Sequence, residues 1–349
     1  MSFSRFSEDE MEVVKTIPGP KGSYTEIFNT PISPKENLMR MYAGKTPMWI
    51  PSLGETIQMK IDIDPENIAR SPSGGVDGYG VEWTFVDVVG GATVRPGAPK
   101  VPDINNWEDY ITVPDPDKWD WKGCYERHKD ELDPNYATYI MFGSNLFERL
   151  IAVMDCGNAC IALIDEDQKE GVHRFFRAVT AYRKRYYELV KQWFDADIVN
   201  FNDDWGTQNG PFFSYQTAEE MLVPYVTETC AHAHSIGLLV DLHCCGNVMP
   251  LVPLLIQEGM DSWGGQPLND KPALKRKFAD KKFLFTHELP VKPDASEDDI
   301  NAAVKKFMEE FGYDNRGFNR TRVPAFNKAL YMASRKNFDR MVEEGTAIL

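Results

Sequence analysis

From residue 198 onward one pattern repeats: a short apolar run, a polar turn, then a stretch with helical spacing. The runs are DIVNFN (197–202), GLLVDLHCC (237–245), MDSWGG (260–265), KFLFTHE (282–288) and a weaker one near RVPAFN (322–327). Between them lie the helical stretches TAEEMLVPYVTETCAHAHS, MPLVPLLIQEG, PALKRKFAD and SEDDINAAVKKFMEEFG, and KNFDRMVEEGTAI follows the last. Strands that alternate with helices predict a parallel sheet covered by helices, because the crossover between parallel neighbours needs the length of a helix. Upstream β-rich runs near residues 47, 82 and 138 bring the count to eight, the number that closes a (β/α)8 TIM barrel. An open doubly wound sheet is the alternative, but no G-x-G-x-x-G follows a first strand, so a dinucleotide site is not supported.

Residues 1–33 are interrupted by Pro18, Gly19, Pro20, Gly22 and Pro31 and read as an N-terminal arm on a barrel of residues 34–349. Ser33, Pro34 and Glu36 form a helix-start signature for SPKENLMRMY. The Pro-, Asp- and Trp-rich stretch after residue 88 predicts a loop of about forty residues, of the kind that serves as a lid or binding insertion. Fifty-three acidic against 38 basic side chains give a net charge of −15, which argues against nucleic acid and anionic membrane surfaces as partners. The first residues carry no apolar leader-like run and no long apolar stretch follows, so a cytoplasmic protein is expected. Six cysteines (124, 156, 160, 230, 244 and 245) are too few for a disulfide scaffold in so long a chain.

In a barrel the chemistry sits at the carboxyl ends of the strands. The densest candidate is Asp241-Leu242-His243-Cys244-Cys245-Gly246-Asn247. Alternation along a strand sends His243 and Cys245 to one side and Cys244 to the other, so imidazole and thiolate form a candidate pair of zinc ligands. Two buried small hydrophobes beside a hydrogen-bonded histidine is the competing reading. The preceding strand end supplies Asn200, Asn202, Asp203, Asp204, Trp205, Gln208 and Asn209, candidates for metal ligation, proton transfer or substrate binding, or for capping the next turn. His287 and Glu288 end a later strand, and only one of them can face inward; Glu55 follows the first. Trp49, Trp83, Phe142, Phe147 and Trp205 wall a pocket near that rim or simply pack. Cys230, His232 and His234, and the pair Cys156 and Cys160, read as structural.

ENLMRMYAGKTPMWIP, DGYGVEW, FGSNLFERL, DDWGTQNGPFFS and LHCCGNVMPLVPLLIQEGMDSW, in this order, resemble the uroporphyrinogen decarboxylase superfamily, and within it the cobamide (corrinoid)-dependent methyltransferases. The resemblance spans roughly residues 34–345 and implies a (β/α)8 barrel. Decarboxylases of the family hold a polyanionic tetrapyrrole with arginines after the first strand. This chain has PSLGET there, with Pro51 and Glu55, so porphyrinogen decarboxylation is disfavoured. The methyltransferase branch implies zinc on His243 and Cys245 and a corrinoid carried by a partner protein. Its later cysteine ligand is replaced at about Asn327, so either Glu288, Glu55 or Asp204 completes a different sphere or the metal is lost, and a thiol acceptor is disfavoured. The resulting expectation is methyl transfer from a small methylated donor, an aryl methyl ether for instance (O-demethylation), to a corrinoid protein. Asp204, Glu288 and His243 would be catalytic, and Trp49, Glu55, Phe142, Phe147, Asn202, Trp205 and Gln208 would bind substrate. Decarboxylation or another proton transfer on a smaller acid, and a non-catalytic barrel that binds a ligand or corrinoid, are the alternatives.

Overall fold

A computed structural model describes residues 4–18, 24–87, 91–95 and 97–349. Of the arm, residues 1–3 and 19–23 lie outside the described residues, as does Pro96 of the insertion. The chain forms two compact units, one of residues 58–131 and 138–260, the other of residues 1–57, 132–137 and 261–349.

The first unit holds the parallel strands Ala137–Met141, Ile198–Asn202 and Leu239–His243, with Thr56–Lys60 next in order. Ile198, Val199, Phe201, Val240 and Leu242 are buried, as expected of strands covered on both faces. The parallel register pairs Asn200 with Asp241 and Asn202 with His243, which aligns the two polar strand ends predicted to carry chemistry. The helix Lys169–Phe194 carries apolar residues at helical spacing and buries Val172, Phe175, Phe176, Val179 and Tyr182.

Two expectations change in this unit. Residues 82–86 do form a strand, but it pairs antiparallel with Gly75–Val76 and Gly91–Val94 in a separate three-stranded sheet, so it is not a strand of the parallel array. Its burial alternates, Glu82 and Thr84 exposed against a buried Trp83, as suits a sheet wet on one face. The insertion is not a structureless lid. It folds into the short turns Ile104–Asp109 and Pro116–Lys118 and the helix Trp121–His128, and Trp107, Trp119 and Trp121 pack edge-on against Phe175 and Tyr186 of the long helix. The aromatics that suggested an exposed loop are what anchor it.

The second unit holds the parallel strands Ser262–Trp263, Leu284–His287 and Phe318–Asn319. The last strand lies a few residues before the segment RVPAFN, because Pro324 starts the helix Pro324–Glu343 instead of ending a strand. The run near residue 47 is not a ladder strand. It is an extended segment that makes a single parallel bridge from Ser52 to Asn319, with Asn319 N–H donating to Pro51 O (2.9 Å), before a turn at Leu53–Glu55. The predicted helix start is present: Ser33 Oγ accepts from Glu36 N (3.1 Å) ahead of Pro34–Tyr42.

The arm contributes an antiparallel pair, Val13–Pro18 with Tyr24–Phe28, and a buried carboxylate, Glu10. Arg335 donates to both Glu10 oxygens (2.8 and 3.0 Å), and Tyr331 Oη donates to one of them (2.6 Å). Among the described residues no helix is long and apolar enough to cross a membrane.

Candidate functional site

Two glycines bring the strand-end loops together. Gly246 has φ +85°, and a Cβ there would meet the Gly206 backbone at 2.2 Å, so the chains approach as only glycine permits. Asn247 N–H donates to Thr207 O (2.7 Å) across the same contact. DDWG and HCCG are in effect one doubled loop.

Within it, Asp204, His243 and Cys245 offer ligand atoms that all lie within 4.8 Å of one another. Cys245 Sγ is 3.4 Å from His243 Nε2, and Asp204 Oδ1 is 3.9 Å from that nitrogen. Asp204 Oδ1 also accepts the Cys245 backbone N–H at 2.6 Å, which fixes the carboxylate toward the thiol. All three residues are half-exposed, whereas Cys244 points the other way into the core, where Trp205 N–H donates to its sulfur (3.3 Å). Burial pushes the Cys244 thiol far up, so it stays a neutral filler. An N, S and O donor set with solvent access is the composition of a zinc site that keeps a coordination position open.

Asp203 is wholly buried and plays a different part from its neighbour. Its carboxylate accepts the N–H groups of Phe147 and Glu148 (3.1 and 2.8 Å) at the start of the helix Leu146–Met154, together with Trp205 Nε1–H (2.7 Å). It caps that helix and not its own turn, so it ties strand end to helix start. Burial raises it to about 6 despite these bonds.

Glu148, which the sequence pattern did not single out, lies beside this cluster with its carboxyl perturbed. Burial pushes its carboxyl up to about 8, the negative charges of Asp204, Asp203 and Glu66 add to the rise, and Arg70 opposes it. Asn202 Nδ2 donates to its Oε2 at 2.5 Å, and Asn202 is the register partner of His243. Behind Glu148 lies a buried ion network in which Arg149 reaches Glu66 (2.5 Å) and Asp77 (2.6 Å). Glu258 is buried too, with neither carboxyl oxygen hydrogen-bonded, and burial followed by the Asp203 charge raises it to about 8.

The other expected residues fall in several places. Phe142, Phe147 and Trp205 are buried and pack on Tyr186, Phe213 and their neighbours, Trp83 is buried in its own sheet, and Gln208 is exposed. In the second unit Trp49 is buried and donates from Nε1 to Glu55 (3.1 Å), whose carboxyl is raised to about 7 by burial. His287 takes the half-buried side of its strand end, stacked on Phe311, and Glu288 is exposed. Asn327 accepts from Asn319 Nδ2 (2.7 Å). Cys230 donates to Met260 Sδ (3.8 Å) and His232 lies 3.2 Å from Glu188, both within the packing of their helix. Cys156 and Cys160 depart from the expected core placement: Cys156 is exposed and Cys160 half-buried, because their short helix turns Ala159 and Ala162 inward instead.

No family model matches the chain, and no curated protein matches it. Among solved structures the chain is similar to a methyltransferase from Methanosarcina mazei, at 13% identity and a TM-score of 0.58, with 88% of this chain and 99% of that chain covered. It also matches an endo-β-1,4-xylanase from Gloeophyllum trabeum at 12% identity, over 64% of this chain and 82% of that one, with a TM-score of 0.39. At such identities the first likeness concerns the fold, an α/β architecture of parallel strands and covering helices.

Proposed function

We propose that the chain is a corrinoid-dependent methyltransferase that moves a methyl group from a small methylated donor, of the aryl methyl ether kind, to cobalt on a separate corrinoid protein. The observation that carries the reading is the convergence of Asp204, His243 and Cys245 beside a carboxyl held protonated at neutral pH, Glu148. The methyltransferase likeness supports the same reading. For the fold we read a full (β/α)8 barrel, supported by the bridge that seats Ser52 beside the last strand.

In such a transfer the methyl carbon passes to reduced cobalt while the C–O electron pair stays on oxygen. The chain must therefore orient the donor and stabilise the leaving oxygen. Glu148, neutral at pH 7, is suited to give its proton to that oxygen, and Asn202 fixes the carboxyl for the task. Asp204 is oriented by the Cys245 N–H, so the carboxylate, imidazole and sulfur face a common point before any ligand arrives. Phe212 and Phe213, half-buried against Phe147 and Trp205, offer ring faces to an aromatic donor. Zinc fits the three donors and, held by them, supplies a Lewis acid for negative charge developing on oxygen.

The test is methyl transfer from a panel of methoxylated aromatics, methylamines and methylthiols to a reduced corrinoid protein, followed by its absorbance change. Turnover with a methoxylated aromatic, lost in His243→Ala and Cys245→Ala, is expected. Turnover of a carboxylic acid without cobalamin would replace this reading by a proton-transfer enzyme, and binding without turnover by a non-catalytic barrel.

A further inference from the structure

Outside this site, the helix Trp121–His128 places Cys124 and His128 four residues apart on one face, opposite Asp62 in the turn that follows the strand Thr56–Lys60. We propose that Asp62, Cys124 and His128 form a second transition-metal site of the zinc class, which ties that turn to the helix ending the long insertion.

The ligand atoms of the three residues lie within 4.8 Å of one another, a span that one ion with bonds of roughly 2.0–2.3 Å bridges after small rotations. Each is already held in place. Arg127 grips the Asp62 carboxylate with both arms of its fork, Nε to Oδ2 at 2.7 Å and Nη2 to Oδ1 at 2.9 Å, which turns it toward Cys124 and His128. Asp120 caps the helix by accepting Gly123 N–H (2.9 Å), which sets the orientation of Cys124 one residue on. His128 engages the Glu131 carboxylate through Nδ1 (2.8 Å), the carboxylate–imidazole arrangement that orients a ligating histidine.

The other imidazole nitrogen points to a ligand. Nε2 of His128 is buried and faces Asp62 Oδ2 at 3.3 Å. The Cys124 thiol and the His128 ring both hydrogen-bond to the Asp62 carboxylate, so sulfur, nitrogen and oxygen already converge, and an entering cation would take the place of the protons between them. Sulfur and imidazole in the set select zinc, cobalt or copper over magnesium or calcium. Three protein ligands leave one position for water. Binding would stabilise the folded chain, since the unfolded chain has no such site.

The test uses the full chain carrying His243→Ala and Cys245→Ala, which removes the first cluster, and Co²⁺ as a spectroscopic stand-in for zinc. One equivalent of cobalt per chain, with a sulfur-to-cobalt charge-transfer band, is expected, together with a rise in Tm on adding Zn²⁺. Cys124→Ser should abolish the band. His128→Gln and Asp62→Asn, at half-exposed positions where folding is not at stake, should each weaken binding about 10–100-fold. No band in the double variant, or unchanged affinity in His128→Gln, overturns the proposal. Neither result depends on methyl transfer, so this site and the proposed reaction stand or fall separately.

Discussion

Two buried glutamates have similar elevated pKa values, yet their surroundings give them different consequences. Glu148 has Asn202 as a hydrogen-bond donor and faces the half-exposed cluster, so its proton is usable. Replacing it by Gln should lower kcat about 10²- to 10⁴-fold while bound zinc, measured by elemental analysis, is retained. Glu258 has no hydrogen-bond partner at either oxygen, so its proton is a matter of stability. Its carboxyl rises from 4.5 to about 8 on folding, and the folded chain therefore holds the proton where the unfolded chain has released it. That contribution is complete below pH 4.5 and is lost as pH climbs through about 8. The parent chain should lose Tm between pH 5 and 9, and Glu258→Gln should flatten that slope; equal slopes in the two proteins would contradict the assignment.

At the scale of elements, the join between the two strand-end loops depends on bare backbone. Gly246→Ala must place a methyl group 2.2 Å from Gly206 at a positive φ, and should cost about 3 kcal/mol or more in urea unfolding. The buried Arg149 joins Glu66 and Asp77, and Arg149→Met leaves Asp77 without its cation and Glu66 with Arg70 alone (3.3 Å), a loss of about 3–5 kcal/mol measurable by the same unfolding. How much of this was legible differs by element. That His243 and Cys245 turn to one side was legible because strand alternation is a local rule, and the nearness of Asp204 because it follows the neighbouring strand end. Glu148 was missed because an acid in the first turn of a helix is ordinary, and only burial against Asp203 and Asn202 makes it unusual. Trp83 sits in a strand that composition identified correctly, but whether a strand pairs parallel or antiparallel depends on distant partners that local pattern does not contain. Cys156 looked like core because it shares a helical face with Cys160, whereas two alanines occupy the buried side.

For the molecule as a whole, the α/β pattern was legible because it repeats five times after residue 198, and repetition overrides errors at single elements. Pairings distant in sequence were not. Glu10 and Arg335 are 325 residues apart and form a buried, charge-assisted contact. Glu10→Gln should lower stability by roughly 1–3 kcal/mol, because Arg335, with no exposed surface, would keep its charge with only the more distant Asp339 (3.4 Å) as counterion. Thermal unfolding of Glu10→Gln against a Glu10→Gln, Arg335→Met double variant checks this, since the double variant should recover much of the loss. The contact also has a consequence in time. A ribosome must release residue 335 before Glu10 can meet its cation, so until then the segment around Glu10 carries an acid that has nowhere to settle. A nascent chain arrested before the helix Pro324–Glu343 should then keep residues 4–12 open to proteases, and closure of that segment would report that residue 335 has emerged.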